Sequence, residues 1–425
     1  MQATVLFVSF FLLLLLTVPI GYSIGIATLI ALVFAGDGTI PLLMICQKAV
    51  TGCDSFPLMA VPFFMLAGNL MSGGGIAKRI LDFFDTFMGF IIGGLSMVTT
   101  ITCMFFAAIS GSAMATTSAV GSFMIPAMKE HGYDEGFSAG ICAAAGTIGV
   151  IIPPSVPFVI YGVATGTSIT DLFKAGFLPG IAMGIALMLV CFFISKKEGF
   201  KGETKEFSLK AVWVSFKEAF WALLSPVIIL GGIYSGYFTP TEAAVISVVY
   251  SYIVGRFVYH ELDRKGAYKA LHDTIVVNGA TTFMVGLSSA FAAYLSLAGI
   301  PRQLAAAMLQ ITDNKILLFI IINVFLLVVG CLVDNIPATI ILAPILLPVV
   351  KSLGMSPVTF GIMLTMNLAI GFCTPPYGID LFVASAISGV SIGKMMKYMF
   401  WFIFALLIVL ALVTYWPAFT MFVLA

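Results

Sequence analysis

The decapeptide GVIIPPSVPF, residues 149–158, sets two adjacent prolines, and a third three residues on, inside an uncharged apolar stretch. Proline has no N–H for the carbonyl four residues earlier, and its ring clashes with that turn of helix. Pro153 and Pro154 therefore withdraw helical donors from the carbonyls of Gly149 and Val150. Irregular backbone survives in hydrocarbon only against protein or a polar cavity, because each unpaired group there is costly. Proline suits the first turn of a new helix, where its missing donor is no loss. The stretch reads as helix, unwound link, new helix.

The surroundings are membrane. Apolar residues make up 61% of the 425 positions and charged residues 9%, with mean hydropathy +1.13. Soluble domains carry about 25% charged residues. Uncharged runs long enough to cross a bilayer core recur along the chain, which predicts an all-α polytopic membrane protein. The N-terminal run lacks the positive start and short apolar core of a cleaved signal and reads as a retained anchor, with a bend allowed at Pro19 and Gly21.

Shifting the chain by 222 positions brings Pro126 onto Pro348, Lys129 onto Lys351, Gly132 onto Gly354, Gly149 onto Gly371, and Pro153–Pro154 onto Pro375–Pro376. A second unwound link is therefore predicted at 371–376, with the carbonyls of Gly371 and Phe372 freed. Paired, Gly/Pro-interrupted apolar segments in two repeats are the sequence mark of a secondary transporter. Freed carbonyls suit a hard cation such as Na+, and the new helix offers its positive end to an anion.

The other half of each site is a polar tip upstream. AISGSAMATTSA (108–119) gathers Ser110, Gly111, Ser112, Thr116, Thr117 and Ser118 within a span uncharged from 86 to 128. Its counterpart contains DNIPAT, where Asp334 is the one charge between Lys315 and Lys351. An isolated acid in an apolar span implies function. Asp334 beside Asn335 supplies a charged oxygen to Na+ or carries a proton. Asp380, the one charge between Lys351 and Lys394, either lines the substrate cavity or caps a helix start.

Ten of the twenty Lys and Arg residues lie between 196 and 269, which marks those connectors as cytoplasmic. Leu209, Val212, Trp213, Phe216 and Phe220 share a helical face, predicting an interfacial helix, followed by a down-and-back pair turning near SGYFTPTE. The predicted division is 1–56 scaffold helices, 57–194 repeat 1, 195–278 connector, 279–417 repeat 2 and 418–425 tail. Seven scattered cysteines, the absence of metal or nucleophile motifs and the lack of a phosphate-binding loop argue against an enzyme or an ATP-driven pump.

The segments PFFMLAGNLM, FFAAISGSAMATTSAVGSFMIPAMKEHGYD, GVIIPPSVPFVIYG, LFKAGFLPGI, GGIYSGYFTPTEAA, DNIPATIILAPILLPV and NLAIGFCTPPYGIDLFVAS occur in this order. Along essentially its whole length the chain thus resembles the large membrane subunit of tripartite ATP-independent periplasmic (TRAP) transporters. The resemblance implies an elevator-type permease with two inverted repeats, each with a re-entrant hairpin and an unwound helix. It implies one Na+ site between Ser110–Thr116 and Gly149–Ser155, drawing on Ser110, Gly111, Ser112, Thr116, Gly149, Val150 and Pro153. A second falls between Asp334–Thr339 and Gly371–Pro376, drawing on Asp334, Asn335, Thr339, Gly371, Phe372 and Thr374. Substrate would bind between the tips, at Ser112, Pro154, Ser155, Pro376, Tyr377 and Asp380.

The implied activity is Na+-coupled import of a small organic acid across the bacterial inner membrane, without a cofactor beyond the coupling ion. The implied partners are a small four-helix membrane subunit and a periplasmic solute-binding protein. A stand-alone carrier of the same fold, needing no receptor, is the alternative. One departure stands out: where the family has a GLNLF-like run, this chain reads GIDLF. Asp380 there would repel a carboxylate, pair with a cationic group or take up a proton.

Overall fold

The computed structural model describes residues 2–34, 40–200, 208–300, 303, 314–376 and 378–424. Tyr377 lies outside them. The described residues form helices and connecting turns, with no strand among them.

The first two helices, α1 (Gln2–Leu15) and α2 (Ile20–Phe34), are separated just before and at Pro19, where Thr17 takes a positive φ of 61°. Next come α3 (Leu42–Thr51), α4 (Ala60–Gly73) and α5 (Ile76–Met88). A hairpin follows, α6 (Gly94–Ser110) and α7 (Ala113–Glu130), whose arms meet at Gly111–Ser112. After it run α8 (Glu135–Gly146), a 3-10 turn at Thr147–Val150, α9 (Val156–Thr165) and α10 (Ile169–Glu198). The central part holds α11 (Leu209–Tyr234), α12 (Pro240–Ile253) and α13 (Arg264–Leu297). The second hairpin is α14 (Lys315–Gly330) and α15 (Asn335–Ser352), followed by α16 (Pro357–Phe372), α17 (Ile379–Ser388) and α18 (Ile392–Tyr415). Among the described residues, seven helices are long and apolar enough to span a membrane.

The repeat is written into the helix ends. The 222-residue shift carries Ala113 to Asn335 and Glu130 to Ser352, so α7 and α15 coincide at both termini. It also carries Glu135 to Pro357 and Val150 to Phe372. The matched glycines have a backbone reason. Gly132 and Gly354 have φ of 79° and 89°, and each sits in the left-handed turn that joins its hairpin's second arm to the next helix. Tyr133 N–H reaches the Met128 carbonyl and Met355 N–H the Val350 carbonyl, both at 3.0 Å, which satisfies the last helical acceptors in the same way twice.

Two helices form the middle of the core. In α8 every residue from Gly136 to Gly146 is buried, and in α16 every residue from Thr359 to Phe372. The small residues of EGFSAGICAAAG let neighbouring backbones approach closely, which is how helices pack without a hydrophobic drive in lipid. The repeats also exchange parts: α17 packs against α7 and α8, while α9 packs against α15. Each helix that follows an unwound link thus rests on the other repeat's hairpin.

Two boundaries differ from the sequence reading. The apolar face at 209–220 is no separate interfacial helix. It is the start of the continuous 26-residue α11, about 39 Å long at helical rise, which carries Pro226 without ending. The predicted break at 278/279 falls inside α13, a single helix of 34 residues. Asn278–Gly279 is a turn signal in isolation, but helical packing on α2, α3 and α4 keeps the backbone regular. The turn predicted near SGYFTPTE is present, with Thr239 and Glu242 forming a capping box at the start of α12.

Candidate cation and substrate sites

The first tip and the first link are in direct contact. Gly111 takes φ of 62°, and its carbonyl accepts the Val156 N–H at 3.3 Å. A Cβ on Gly111 would lie 2.7 Å from the Pro154 carbonyl oxygen, and one on Gly149 would lie 2.6 Å from that of Ser112 and 2.7 Å from Thr116 Oγ1. Glycine at both positions lets tip and link close together. Between them sit three neutral oxygens: the hydroxyls of Ser110 and Thr116 share a hydrogen bond at 3.0 Å, and Thr116 donates to the Ser112 carbonyl at 2.8 Å. Ser110 and Thr116 are buried, and such a set of hydroxyl and carbonyl oxygens suits a hard monovalent cation.

The link is less open than proline chemistry alone predicts. Pro154 removes the N–H that would serve the Val150 carbonyl, but the Ser155 hydroxyl donates to that oxygen at 2.6 Å and also accepts from Phe158 N–H as the cap of α9. In the second link the Gly371 carbonyl accepts the Thr374 N–H at 3.0 Å, and Thr374 Oγ1 donates to Ile370 at 2.7 Å. Two of the four carbonyls read as free thus have donors, supplied by a side chain in one case and a tightened turn in the other. Both proline pairs are joined by cis peptide bonds. Ser155 is fully buried, so Ser155→Ala leaves the Val150 carbonyl without its donor, at an expected loss of about 1–3 kcal/mol read by unfolding of the purified protein.

The second tip is built differently. Asp334 caps α15, and its Oδ1 accepts the Asn335 N–H at 2.8 Å. Thr339 donates to Asn335 Oδ1 at 2.9 Å, while Asn335 Nδ2 donates to the Thr365 carbonyl at 3.4 Å. Asn335 therefore meets α16 well upstream of Gly371. What Gly371 touches is the end of the first arm: a Cβ there would lie 2.2 Å from the carbonyl carbon of Gly330.

Asp380 is 0% exposed, so it does not face an open cavity, and the cap of α17 is Gly378 rather than Asp380. It sits in the first turn of α17, where a carboxylate complements the helix dipole. Neither of its oxygens meets a hydrogen-bond partner, and its helix packs on α7 and α8 of the first repeat.

A buried polar chain escaped the sequence reading. Asn367 donates to Asn323 Oδ1 at 2.7 Å and to the Met363 carbonyl at 2.8 Å, and Asn323 donates to Thr414 at 3.3 Å. It ties α16 to α14 and α18. The signal was present as lone asparagines in IIINVFLL and LTMNLAIG, since a polar side chain in an apolar span usually bonds across helices.

Residues 7–419 match the family model described as "Tripartite ATP-independent periplasmic transporter, DctM component". The isethionate TRAP transporter permease protein DctMQ of Oleidesulfovibrio alaskensis is 45% identical over 98% of this chain, which spans 66% of that relative. The sialic acid TRAP transporter large permease protein SiaM of Vibrio cholerae is 39% identical, with 95% of this chain and 94% of the relative covered. The C4-dicarboxylate TRAP transporter large permease protein DctM of Pseudomonas aeruginosa is 38% identical, covering 93% and 92%. Among solved structures the Alcanivorax borkumensis YdaH transporter superposes with a TM-score of 0.61 over 89% of each chain, at 14% identity, a likeness of fold alone.

Proposed function

Since this chain belongs to the DctM component family of tripartite ATP-independent periplasmic transporters, we propose that it is the membrane permease for Na+-coupled import of a small organic acid. The observation that carries the cation half is the oxygen cluster of Ser110, Ser112 and Thr116 closed against Gly149. Asp334, Asn335 and Thr339 supply the second cation site. Substrate binds between the tips, near Ser112. A negatively charged substrate, whether carboxylate or sulfonate, accords with the sialic acid, C4-dicarboxylate and isethionate named for the relatives. A small membrane subunit and a periplasmic binding protein complete the system in the bacterial inner membrane.

The test is uptake into proteoliposomes holding this chain and its small subunit, with a loaded binding protein outside and an inward Na+ gradient present or absent. The expected result is accumulation that needs both. Accumulation without the binding protein favours a stand-alone carrier, and downhill flux indifferent to Na+ overturns the coupled reading.

A further inference from the structure

A cavity of about 520 Å3 opens between the scaffold and the hairpin-bearing helices. Its volume is that of a small-molecule site. One wall is α3 and the end of α13; the other carries Ile160 and Val163 of α9 and Ile340 of α15. Its side of the membrane follows from helix direction. Helix α13 starts at the basic Arg264–Lys269 end and reaches the cavity only with its last turns, from Val285 to Leu297. Helix α10 ends at Lys196–Lys197, and its opposite end begins just after α9, whose last turn lines the cavity with Val163 and Ala164. The cavity therefore faces away from the basic connectors, on the periplasmic side.

The lining carries one charge. Lys48, in the last turn of α3, is the one ionisable residue there and forms no salt bridge among the described residues. Around it stand the hydroxyls of Thr51, Ser55, Ser288, Ser289 and Ser296. Ser289 and Thr51 donate to their own helices, at Val285 and Gln47. Ser288 is fully buried, and its hydroxyl has no partner. A lone cation on a concave wall raises the local concentration of anions, and a hydroxyl left without a partner is a donor in waiting.

We propose that Lys48 and Ser288 form an anion-binding site for the negatively charged group of the substrate, on the periplasmic side between the scaffold and the hairpin-bearing helices. The site rests on the transport reading above and gives a released organic anion a first holding place before it reaches the tips.

The test reads the site without transport. Ser296→Cys, in a chain whose exposed or part-exposed Cys46, Cys53 and Cys331 are replaced by Ser, puts a thiol on the cavity wall. The ratio of its labelling rates by an anionic sulfonatoethyl and a cationic trimethylammonioethyl methanethiosulfonate reports the local potential. Lys48→Gln is expected to lower that ratio by about threefold or more, and Lys48→Arg to keep it. Isethionate, a C4-dicarboxylate or sialic acid at millimolar concentration should slow the labelling, with the half-protecting concentration raised about tenfold in Lys48→Gln. An unchanged ratio, or no protection by any of the three anions, overturns the site. Uptake in the proteoliposome assay judges the transport reading separately.

Discussion

Asp334→Ala is expected to abolish Na+-driven accumulation while the protein still inserts and folds. The carboxylate sits alone in its apolar span, and only one of its oxygens is engaged, by Asn335 N–H. Losing the cap of α15 costs about 1 kcal/mol, which a membrane protein of this size tolerates. Losing an anionic ligand costs more: about 3 kcal/mol corresponds to more than a hundredfold in Na+ affinity. Asp334→Asn separates the two effects, since its side-chain oxygen still caps the helix but carries no charge. Uptake against Na+ concentration, with folding followed in parallel, is the measurement. Na+ dependence unchanged in both variants would remove Asp334 from the coupling site; loss in Ala with full retention in Asn would make its role structural.

Gly371→Ala should be the most damaging single methyl group in the second repeat. The added Cβ would meet the carbonyl carbon, oxygen and Cα of Gly330 at 2.2, 2.4 and 2.6 Å. These are backbone atoms and cannot rotate away as a flexible side chain would. Overpacking of a core typically costs about 1–3 kcal/mol, and backbone displacement of α14 against α16 places this case at the upper end or above. The expected outcome is a lowered melting temperature of the purified protein together with lost uptake. Gly132→Ala is the control, because nothing lies within 4 Å of a Cβ there and only its left-handed φ is strained. If Gly371→Ala melts no lower than Gly132→Ala, the close approach of link to first arm is not what stabilises this repeat.

The behaviour of the two glycines shows what the offset of 222 encodes. Gly132 and Gly354 match because the left-handed turn after each hairpin's second arm needs them, and this need is local, so the sequence displays it. Gly149 and Gly371 also match, yet the first faces the Ser112 carbonyl and Thr116 while the second faces Gly330. The requirement for no side chain was legible; the partner was not, because it lies in another helix. The link carbonyls teach the same lesson. Proline's missing donors can be read from Pro153 and Pro154, whereas Ser155 folding back to Val150 depends on the conformation of the link.

By itself the sequence determined the membrane class, the internal repeat and the two interrupted helices, while the re-entrant hairpins were what the family resemblance implied. The membrane class and the interruptions follow from local physics: hydrocarbon excludes charge over a span, and proline removes a donor wherever it stands. Only the tertiary structure decided that α17 rests on the first hairpin and α9 on the second, that Asp380 is buried, and that Asn323, Asn367 and Thr414 join in one chain. Those facts depend on which helices meet across tens to hundreds of residues of chain, and a polar side chain acquires its role from the partner it finds there.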